Sequence, residues 1–413
     1  MRIEVVNTGT ELLLGKVVNT HAAYFGNELF KLGLRIQRQT TIPDGDEIRT
    51  VLNEAFPRCD VIVITGGLGP TNDDITREVV AEMLGRTLVL DQSILDGIRE
   101  MFISRGLKPH QSNDRQAMVP EGGVVLDNPN GTAPGLYLPA TESSPHLFLL
   151  PGPPRELKPM WEDLVIPKIK GFVGDDADSS QVFRNFRIYG SGESSIASYL
   201  EPKLDLIENL ELGYCARLGE VDVRLIGTEK AIDEASAIIR EKYHQKIVTE
   251  SEDSIARVVI DLLIEKNQTL STAESCTGGL IASTITDESG SSAVFHRGYV
   301  TYSNEVKSAL LGVPGETLAS FGAVSGETVR AMAEGCLRES GATHAVAVSG
   351  IAGPTGGSEE KPVGTVYIGV ASRGEETFVK RYYWPAERVA FKTRVCRMVI
   401  DLVRQRILGF PLE

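Results

Sequence analysis

Little in this sequence invites a metal, a membrane or a polyanion. Its 413 residues hold five cysteines, Cys59, Cys215, Cys276, Cys336 and Cys396. The count is odd and no two stand in a C-x-x-C spacing, which argues against a thiol metal site or a disulfide framework and fits reduced thiols. The six histidines form no H-E-x-x-H pattern. The longest apolar runs, such as Val61 to Ile64 and Leu147 to Leu150, are far too short to span a bilayer. Met1 to Val6 lacks a basic stretch followed by an apolar core, so no secretory signal is expected and a cytoplasmic location is. Basic residues are outnumbered, 42 Lys and Arg against 56 Asp and Glu, for a net charge of −14. That excludes broad binding to a phosphate backbone but not small phosphorylated ligands, which need only a few cations and backbone amides. Two nucleotide loops are also missing. Gly9 to Lys16 has the wrong glycine spacing for a Walker loop, with Val17 where Ser or Thr should stand, and no G-x-G-x-x-G follows any strand. There is no internal repeat or low-complexity tract.

What remains is the balance of an ordinary globular protein, 42% hydrophobic and 24% charged. Residues 1–172 alternate apolar strands with amphipathic helices. Arg2 to Asn7 reads as a strand. Asn19 is placed to cap a helix through Phe25, Leu29 and Leu32 that stops at Gly33. Asp60 to Thr65 reads as a central parallel strand, followed by a glycine turn and a helix from about Asp74, and Val124 to Leu138 as a hairpin. Successive βα units of this kind predict a parallel sheet covered on both faces. Gly171 to Ser180 is polar and acidic and reads as a linker. Residues 181–250 read strand, helix, strand, strand, helix. Glu250 to Asp253 marks a further boundary, with Ser251 or Asp253 as the expected cap of the next helix. Residues 252–413 form another α/β unit, with a helix over Ile255 to Ile264, strands over Thr269 to Glu274, Ala345 to Val348 and Val366 to Val370, a helix from Cys276 to Ile285, and a closing helix over Glu387 to Arg406.

In the first segment, Thr8 to Gly15 (TGTELLLG) and Thr65 to Glu78 (TGGLGPTNDDITRE) carry the chemistry. Glycines after a strand let the backbone approach a phosphate, and the helix that follows offers free amides. Asp73, Asp74 and Glu78 then stand where a hard divalent cation could bridge phosphate oxygens. The plain alternative is that acids at a helix start answer the dipole with no metal. Asp44 and Asp46 (TIPDGDEI) are explained as well by capping as by function. Together with VNTHA, NPNGTAPG and LPGPPREL, these stretches resemble the molybdopterin-binding-like domain of CinA proteins. The resemblance implies a three-layer α/β fold and a metal-dependent ADP-ribose pyrophosphatase activity. It makes Gly66, Gly67, Gly69, Thr71, Thr76 and Glu11 the expected pyrophosphate site, with Asn19 near the same cleft. Asp73, Asp74 and Glu78 become the expected ligands of Mg, Mn or Co, with potassium as a possible companion. The middle segment, with GSGES at 190–194 and YCARLGEV at 214–221, also resembles CinA and implies a small KH-like α+β fold. It has no G-x-x-G clamp and is not strongly basic, so a spacer or dimerisation role is expected rather than direct nucleic-acid binding. Arg217 was the one residue there placed to reach a neighbouring site.

The last segment carries the strongest signal. In Thr272 to Gly279 (TAESCTGG) a strand runs straight into a helix with Ser275 at the junction, a geometry that exposes a hydroxyl among free amides. A helix cap is the bland reading of Ser275, and Cys276 is a rival nucleophile. Gly298 to Lys307 (GYVTYSNEVK) places Lys307 in a helix start, where the dipole opposes its charge and favours a neutral amine. Surface solvation is the alternative. Ser349 to Gly357 (SGIAGPTGG) is a second glycine-rich loop, and Arg388 opens the closing helix. These motifs, with AVSGE and KPVGTVY, are similar to the nicotinamide mononucleotide deamidase domain of CinA proteins, and the likeness runs over essentially the whole chain. It implies a three-layer α/β domain that needs no cofactor, with Ser275 as nucleophile, Lys307 as base and Tyr302 as a hydrogen-bonding partner. Glu274, Cys276, Thr277, Gly278, Ser349, Gly350, Gly353 and Arg388 are then the expected substrate contacts, and the expected assembly is a homodimer. Two departures stand out: Ser349 replaces the family's usual threonine, and Ala386-Glu387-Arg388 replaces Gly-Asp-Arg. A non-enzymatic adaptor in competence or recombination, and a molybdopterin-handling protein, are the competing functions.

Overall fold

A computed structural model describes residues 1–108, 110–173 and 181–412. The expected linker over 171–180 falls mostly outside the described residues, and its first three residues end a helix. Two compact units are present, Met1–Ser179 and Ser180–Glu413.

The first unit runs β1 (Ile3–Thr8), α1 (Thr10–Leu13), α2 (His21–Phe30), β2 (Ile36–Ile42), α3 (Glu47–Ala55), β3 (Val61–Thr65), α4 (Thr76–Met83), β4 (Leu88–Leu90), α5 (Gln92–Ser104), β5 (Met118–Pro120), β6 (Val124–Leu126), β7 (Gly135–Leu138), β8 (His146–Leu150), α6 (Pro154–Met160) and α7 (Ile166–Val173). Its main sheet has the order β2-β1-β3-β8-β7-β6, parallel through β8 and antiparallel over the β6–β7 hairpin. Side chains alternate across this sheet. Val6, Ile62, Ile64, Leu147 and Leu149 pack with Ile48, Leu52, Val79 and Val80 on one face. Val5, Val61, Val63 and Phe148 pack with Phe25, Leu29, Leu157 and Trp161 on the other. The central strand is buried along its whole length, as its unbroken apolar run requires.

Local starts and stops differ from expectation in two places. Asn19 does cap α2, its Oδ1 accepting from the His21 and Ala22 amides at 3.1 and 3.4 Å. Capping accounts for Asp44, though at the start of α1 and not of α3, and does not account for Asp46. Asp46 precedes α3 without a side-chain hydrogen bond, and Asp44 accepts instead from the Thr10 amide at 3.0 Å. Helix α4 starts at Thr76, two residues beyond Asp74, whose carboxylate accepts from Thr71.

The second unit begins with β9 (Gln181–Tyr189), α8 (Glu193–Leu204), β10 (Leu210–Arg217), β11 (Glu220–Thr228), α9 (Glu229–Tyr243) and β12 (Ile247–Thr249), an antiparallel sheet of order β10-β11-β9-β12. Then follow α10 (Ile255–Glu265), β13 (Leu270–Glu274), α11 (Leu280–Thr286), β14 (Phe295–Val300), α12 (Asn304–Leu311), α13 (Gly315–Phe321), α14 (Gly326–Ser340), β15 (His344–Gly350), β16 (Thr365–Ser372), β17 (Phe378–Tyr383) and α15 (Arg388–Leu408). This second sheet has the order β14-β13-β15-β16-β17, with β14, β13 and β15 parallel. Helices α10 and α15 cover one face and α14 the other. The two sheets share α15. Arg404, fully buried beside Asp401, donates to the carbonyls of Gln245 and Ile247 at 2.8 and 3.1 Å. Arg397 donates to the Leu218 carbonyl at 3.0 Å. Arg217 reaches no neighbouring site, because Asp222, already paired with Arg187, also holds it at 2.8 Å. The cap of α10 is Ser254, which accepts from the Arg257 amide at 2.9 Å; Ser251 and Asp253 bond to each other instead.

Candidate functional site

Strand β13 lies between β14 and β15, so the chain leaves it to one side and later returns on the other. A crevice opens at such a switch point, beyond the carboxyl ends of the strands. Ser275 stands there as the first residue after β13. Its amide donates to the Val348 carbonyl at 3.1 Å, and the Thr301 amide donates to the Glu274 carbonyl at 2.8 Å, which fixes the ends of β15 and β14 around it.

Lys307 enters from α12, whose cap Ser303 accepts from the Val306 amide. It is no solvated surface lysine, being 1% exposed. Its Nζ lies 3.4 Å from Ser275 Oγ, 2.9 Å from the Thr301 carbonyl and 3.3 Å from the Tyr302 carbonyl. Burial holds its pKa below the usual lysine range, opposed only by Cys276 and Glu305. A neutral amine has two N–H groups and one lone pair. The two carbonyls take the N–H groups, and the lone pair is left for the Ser275 hydroxyl.

The other expected residues divide. Cys276 is buried, and burial pushes its thiol up to about 12, so it is protonated at neutral pH and a poor rival to Ser275. Helix α11 starts at Leu280, not Cys276. Gly278 and Gly279, both in the left-handed region at φ 64° and 92°, carry the chain through a turn first, so Ser275 is not its cap. The Gly278 amide donates to the Ser275 carbonyl. It is therefore spent, while those of Cys276 and Thr277 donate to no carbonyl among the described residues. Glu274 is turned into the protein. It is 1% exposed, and its carboxylate accepts from the amides of Gly279, Ile281 and Ala282 at 3.0, 3.0 and 2.8 Å, capping α11 from the strand. Ser349 is buried too, its hydroxyl donated to the Ala323 carbonyl at 2.7 Å. Gly350 is demanded by packing, since a Cβ there would meet the Thr365 carbonyl oxygen at 2.7 Å. Tyr302 reaches Lys307 through its carbonyl only. Its phenol, on a side chain 65% exposed, accepts from Arg388 at 3.3 Å, and Arg388 also donates to the Gly353 carbonyl at 2.9 Å. Thr277 is fully buried and its hydroxyl has no partner among the described residues.

In the first unit a cleft of about 370 Å³ opens at the ends of β1, β3 and β8, lined by Glu11, Gly66, Gly67, Gly69, Thr71, Asp73 and Asp74 among others. Asn19 lines an adjoining hollow that shares Glu11. The glycine loop is pressed onto its own protein: a Cβ on Gly66 would stand 2.5 Å from the Thr8 carbonyl oxygen, and one on Gly67 2.0 Å from Thr76 Oγ1. Thr76 is buried and donates to the Gly66 carbonyl at 3.1 Å. The expected metal ligands are not gathered. Asp74 accepts from Thr71, Glu78 pairs with Arg115 at 2.8 Å, and only Asp73 and Asp74 line the cleft. Among the described residues no group of three or more His, Cys, Asp or Glu side chains is placed to hold a metal ion. Arg115, outside the motif, and Arg77, within it, were not singled out as ties of this loop, yet they donate to the carbonyls of Thr71, Asp74 and Leu68. Lys392, one helical turn beyond Arg388 on α15, was not singled out either, and its Nζ lies 3.7 Å from where a Cβ on Gly278 would be.

Comparison with known proteins decides the kinship. A CinA-like protein of Akkermansia muciniphila is 46% identical over 400 residues, spanning 97% of this chain and 96% of its own. The chain belongs to the CinA family. A putative competence-damage inducible protein of Symbiobacterium thermophilum is 43% identical over 428 residues, 99% of this chain and 100% of that one. The family models match in order: probable molybdopterin binding domain over residues 4–171, damage-inducible protein CinA KH domain over 183–255, and CinA C-terminal domain over 252–407. The crystal structure of the competence/damage inducible protein CihA from Agrobacterium tumefaciens is 45% identical, covering 36% of this chain and 92% of that chain with a TM-score of 0.36. The CinA chain thus joins a molybdopterin-binding-like unit to a KH-like sheet and a CinA C-terminal sheet. Among its described residues no helix is long and apolar enough to cross a membrane.

Proposed function

We propose that the C-terminal sheet of this CinA protein converts nicotinamide mononucleotide to nicotinic acid mononucleotide and ammonia. The observation that carries the reading is the buried Lys307 amine, 3.4 Å from the Ser275 hydroxyl and held by the Thr301 and Tyr302 carbonyls. Such a pair is an activated nucleophile without histidine or metal. Ser275 Oγ attacks the carboxamide carbon while Lys307 takes its proton. The amides of Cys276 and Thr277, which donate to no carbonyl among the described residues and face only the Cys276 sulfur, support the oxyanion. Lys307 then protonates the amide nitrogen, the C–N bond breaks and ammonia leaves. Water attacks the acyl-enzyme, gives its proton to Lys307, and the proton returns to Ser275 as the acid departs. The test is ammonia release from nicotinamide mononucleotide with EDTA present. Wild type turns over, and Lys307→Ala and Ser275→Ala do not; a Ser275→Ala variant retaining more than a few per cent of the rate overturns the assignment.

A second reading concerns the first unit. Its cleft, closed by a glycine loop at the strand ends, suits a pyrophosphate-bearing nucleotide such as ADP-ribose. The expected metal ligands do not fit, so no step is routed through one. AMP release from ADP-ribose, with and without Mg, Mn or Co, tests the activity.

A further inference from the structure

We infer that the hydroxyl of Thr301 is a positioning group for the Ser275–Lys307 pair: it accepts a hydrogen bond from the Lys307 ammonium that forms when Ser275 attacks. The inference rests on the deamidase reading above and adds to it the residue that steadies the proton between the two halves of the reaction.

A buried hydroxyl normally finds a partner, and one that does not calls for a reason. Thr301 is fully buried, and its Oγ1 has no partner among the described residues. Ser271, Thr277 and Thr365 share that condition. Thr301 differs in where it stands. Its carbonyl accepts from Lys307 Nζ at 2.9 Å, so one residue brings an engaged oxygen and an idle one to the same amine. Its amide donates to the Glu274 carbonyl at 2.8 Å, which sets it beside Ser275. Glu274 and Val300 are register partners on β13 and β14, and Ser275 and Thr301 each follow by one residue. Alternation along the strands sends both side chains to the face from which Lys307 enters.

The chemistry supplies the reason. Neutral Lys307 has two N–H groups, and the Thr301 and Tyr302 carbonyls take them. After taking the Ser275 proton it has three. The third points where the lone pair pointed, at Ser275 Oγ, which is now bonded to the acyl carbon and accepts poorly. Lys307 is too buried for bulk water to serve. A turn of the Thr301 side chain about its Cα–Cβ bond offers a lone pair to that N–H. The hydroxyl is thus unpaired in the resting site and paired only while the ammonium exists, which lowers the barrier without tightening substrate binding. Lys307 then hands its proton to the departing nitrogen, and no bond to Thr301 forms or breaks.

The experiment uses the full chain and nicotinamide mononucleotide. Thr301→Val keeps the shape and removes the hydroxyl, Thr301→Ser keeps the hydroxyl, and Ser271→Ala removes another orphaned hydroxyl four residues before Ser275. Thr301→Val should melt no lower than wild type, because it removes an unpaired buried polar group. Its kcat should nevertheless fall at least tenfold with KM little changed, the scale of one hydrogen bond to a charged group. Thr301→Ser should recover most of the rate, and Ser271→Ala should keep it. Losing an acceptor for the charged form also makes Lys307 harder to protonate, so the acid limb of kcat should move to lower pH in Thr301→Val. Cys276 and Glu305, the titratable groups that act on Lys307, are the same in both proteins. An unchanged kcat in Thr301→Val, a loss that Thr301→Ser shares, or an acid limb that stays in place overturns the role. Should Thr301→Val not fold, Thr301→Ala against Thr301→Ser repeats the comparison. Should wild type release no ammonia, the deamidase reading fails, and a carbon-13 NMR titration of Lys307 decides the contact: a lower midpoint in Thr301→Val than in wild type supports it, and equal midpoints overturn it.

Discussion

Replacing Glu274 with Gln tests whether this residue shapes the site or touches substrate. In the folded chain its Oε2 accepts from two amides and its Oε1 from a third, all at the start of α11. Gln keeps the shape but supplies one acceptor oxygen. Two amides stay bonded to a neutral partner, and the third faces an NH₂ group. Losing one charge-assisted bond costs about 1.5–3 kcal/mol, weakening two others adds roughly 1 kcal/mol or more, and losing a charge near the helix start adds a few tenths. The sum is about 3–5 kcal/mol. For a unit of this size, that lowers the melting temperature by roughly 6–20 °C. Scanning calorimetry of the full chain is the assay, since the transition of residues 180–413 should move and that of residues 1–179 should not. Deamidation should also slow, because the same carboxylate pins the far end of the Ser275 turn. A melting shift under about 2 °C with activity lost would refute the capping account and return Glu274 to the substrate.

Lys307 sets a pH dependence whose sign follows from its lowered pKa. Above about pH 10.5 it is neutral folded or unfolded; below that the unfolded chain takes a proton that the folded chain resists, so stability is lost as pH falls toward the lowered value, at up to about 1.4 kcal/mol per unit. Urea melts at several pH values between 7 and 10 should show the difference between wild type and Lys307→Met narrowing or reversing in favour of wild type as pH rises; parallel curves would mean that Lys307 is protonated throughout and no base. Iodoacetamide followed by mass spectrometry should label Cys215, the exposed thiol, and spare Cys276, while substrate-protected labelling of Cys276 with loss of activity would restore it as a nucleophile. Arg115→Ala should loosen the Thr65–Glu78 loop, read as faster amide exchange there, and raise the KM for ADP-ribose at least tenfold if that loop holds the pyrophosphate.

Much of the architecture was legible because it follows from pattern. The apolar run ending at Thr65 could be satisfied only by a strand covered on both faces, and the hairpin over residues 124–138 was marked by its turn. The motif strings brought Ser275 and Lys307 to one crevice, although they lie 32 residues apart. What stayed hidden was where polar side chains spend their hydrogen bonds. Nothing local says that Glu274 folds under its own turn, that Asp74 returns to Thr71, or that Glu78 finds Arg115 across 37 residues. Even the start of α11 depends on this: two left-handed glycines delay the helix, and a carboxylate five residues back of Gly279 caps it.

That distinction also orders the functional claims. A polar group whose partners lie inside the protein has been assigned by folding, and substrate must displace them to use it. Glu274, Ser349, Glu78 and Thr76 fall in this class, although all four were expected at a ligand. Among the groups less committed in the second unit are the Ser275 hydroxyl beside the Lys307 amine, the amides of Cys276 and Thr277, and the Thr277 hydroxyl, with Lys392 and Arg388 nearby. Several of them lie at the crevice beyond β13, where the proposed acyl chemistry would use them. In the proposed reaction a nucleophile and base answer an acyl carbon, and neighbouring amides answer its developing oxyanion.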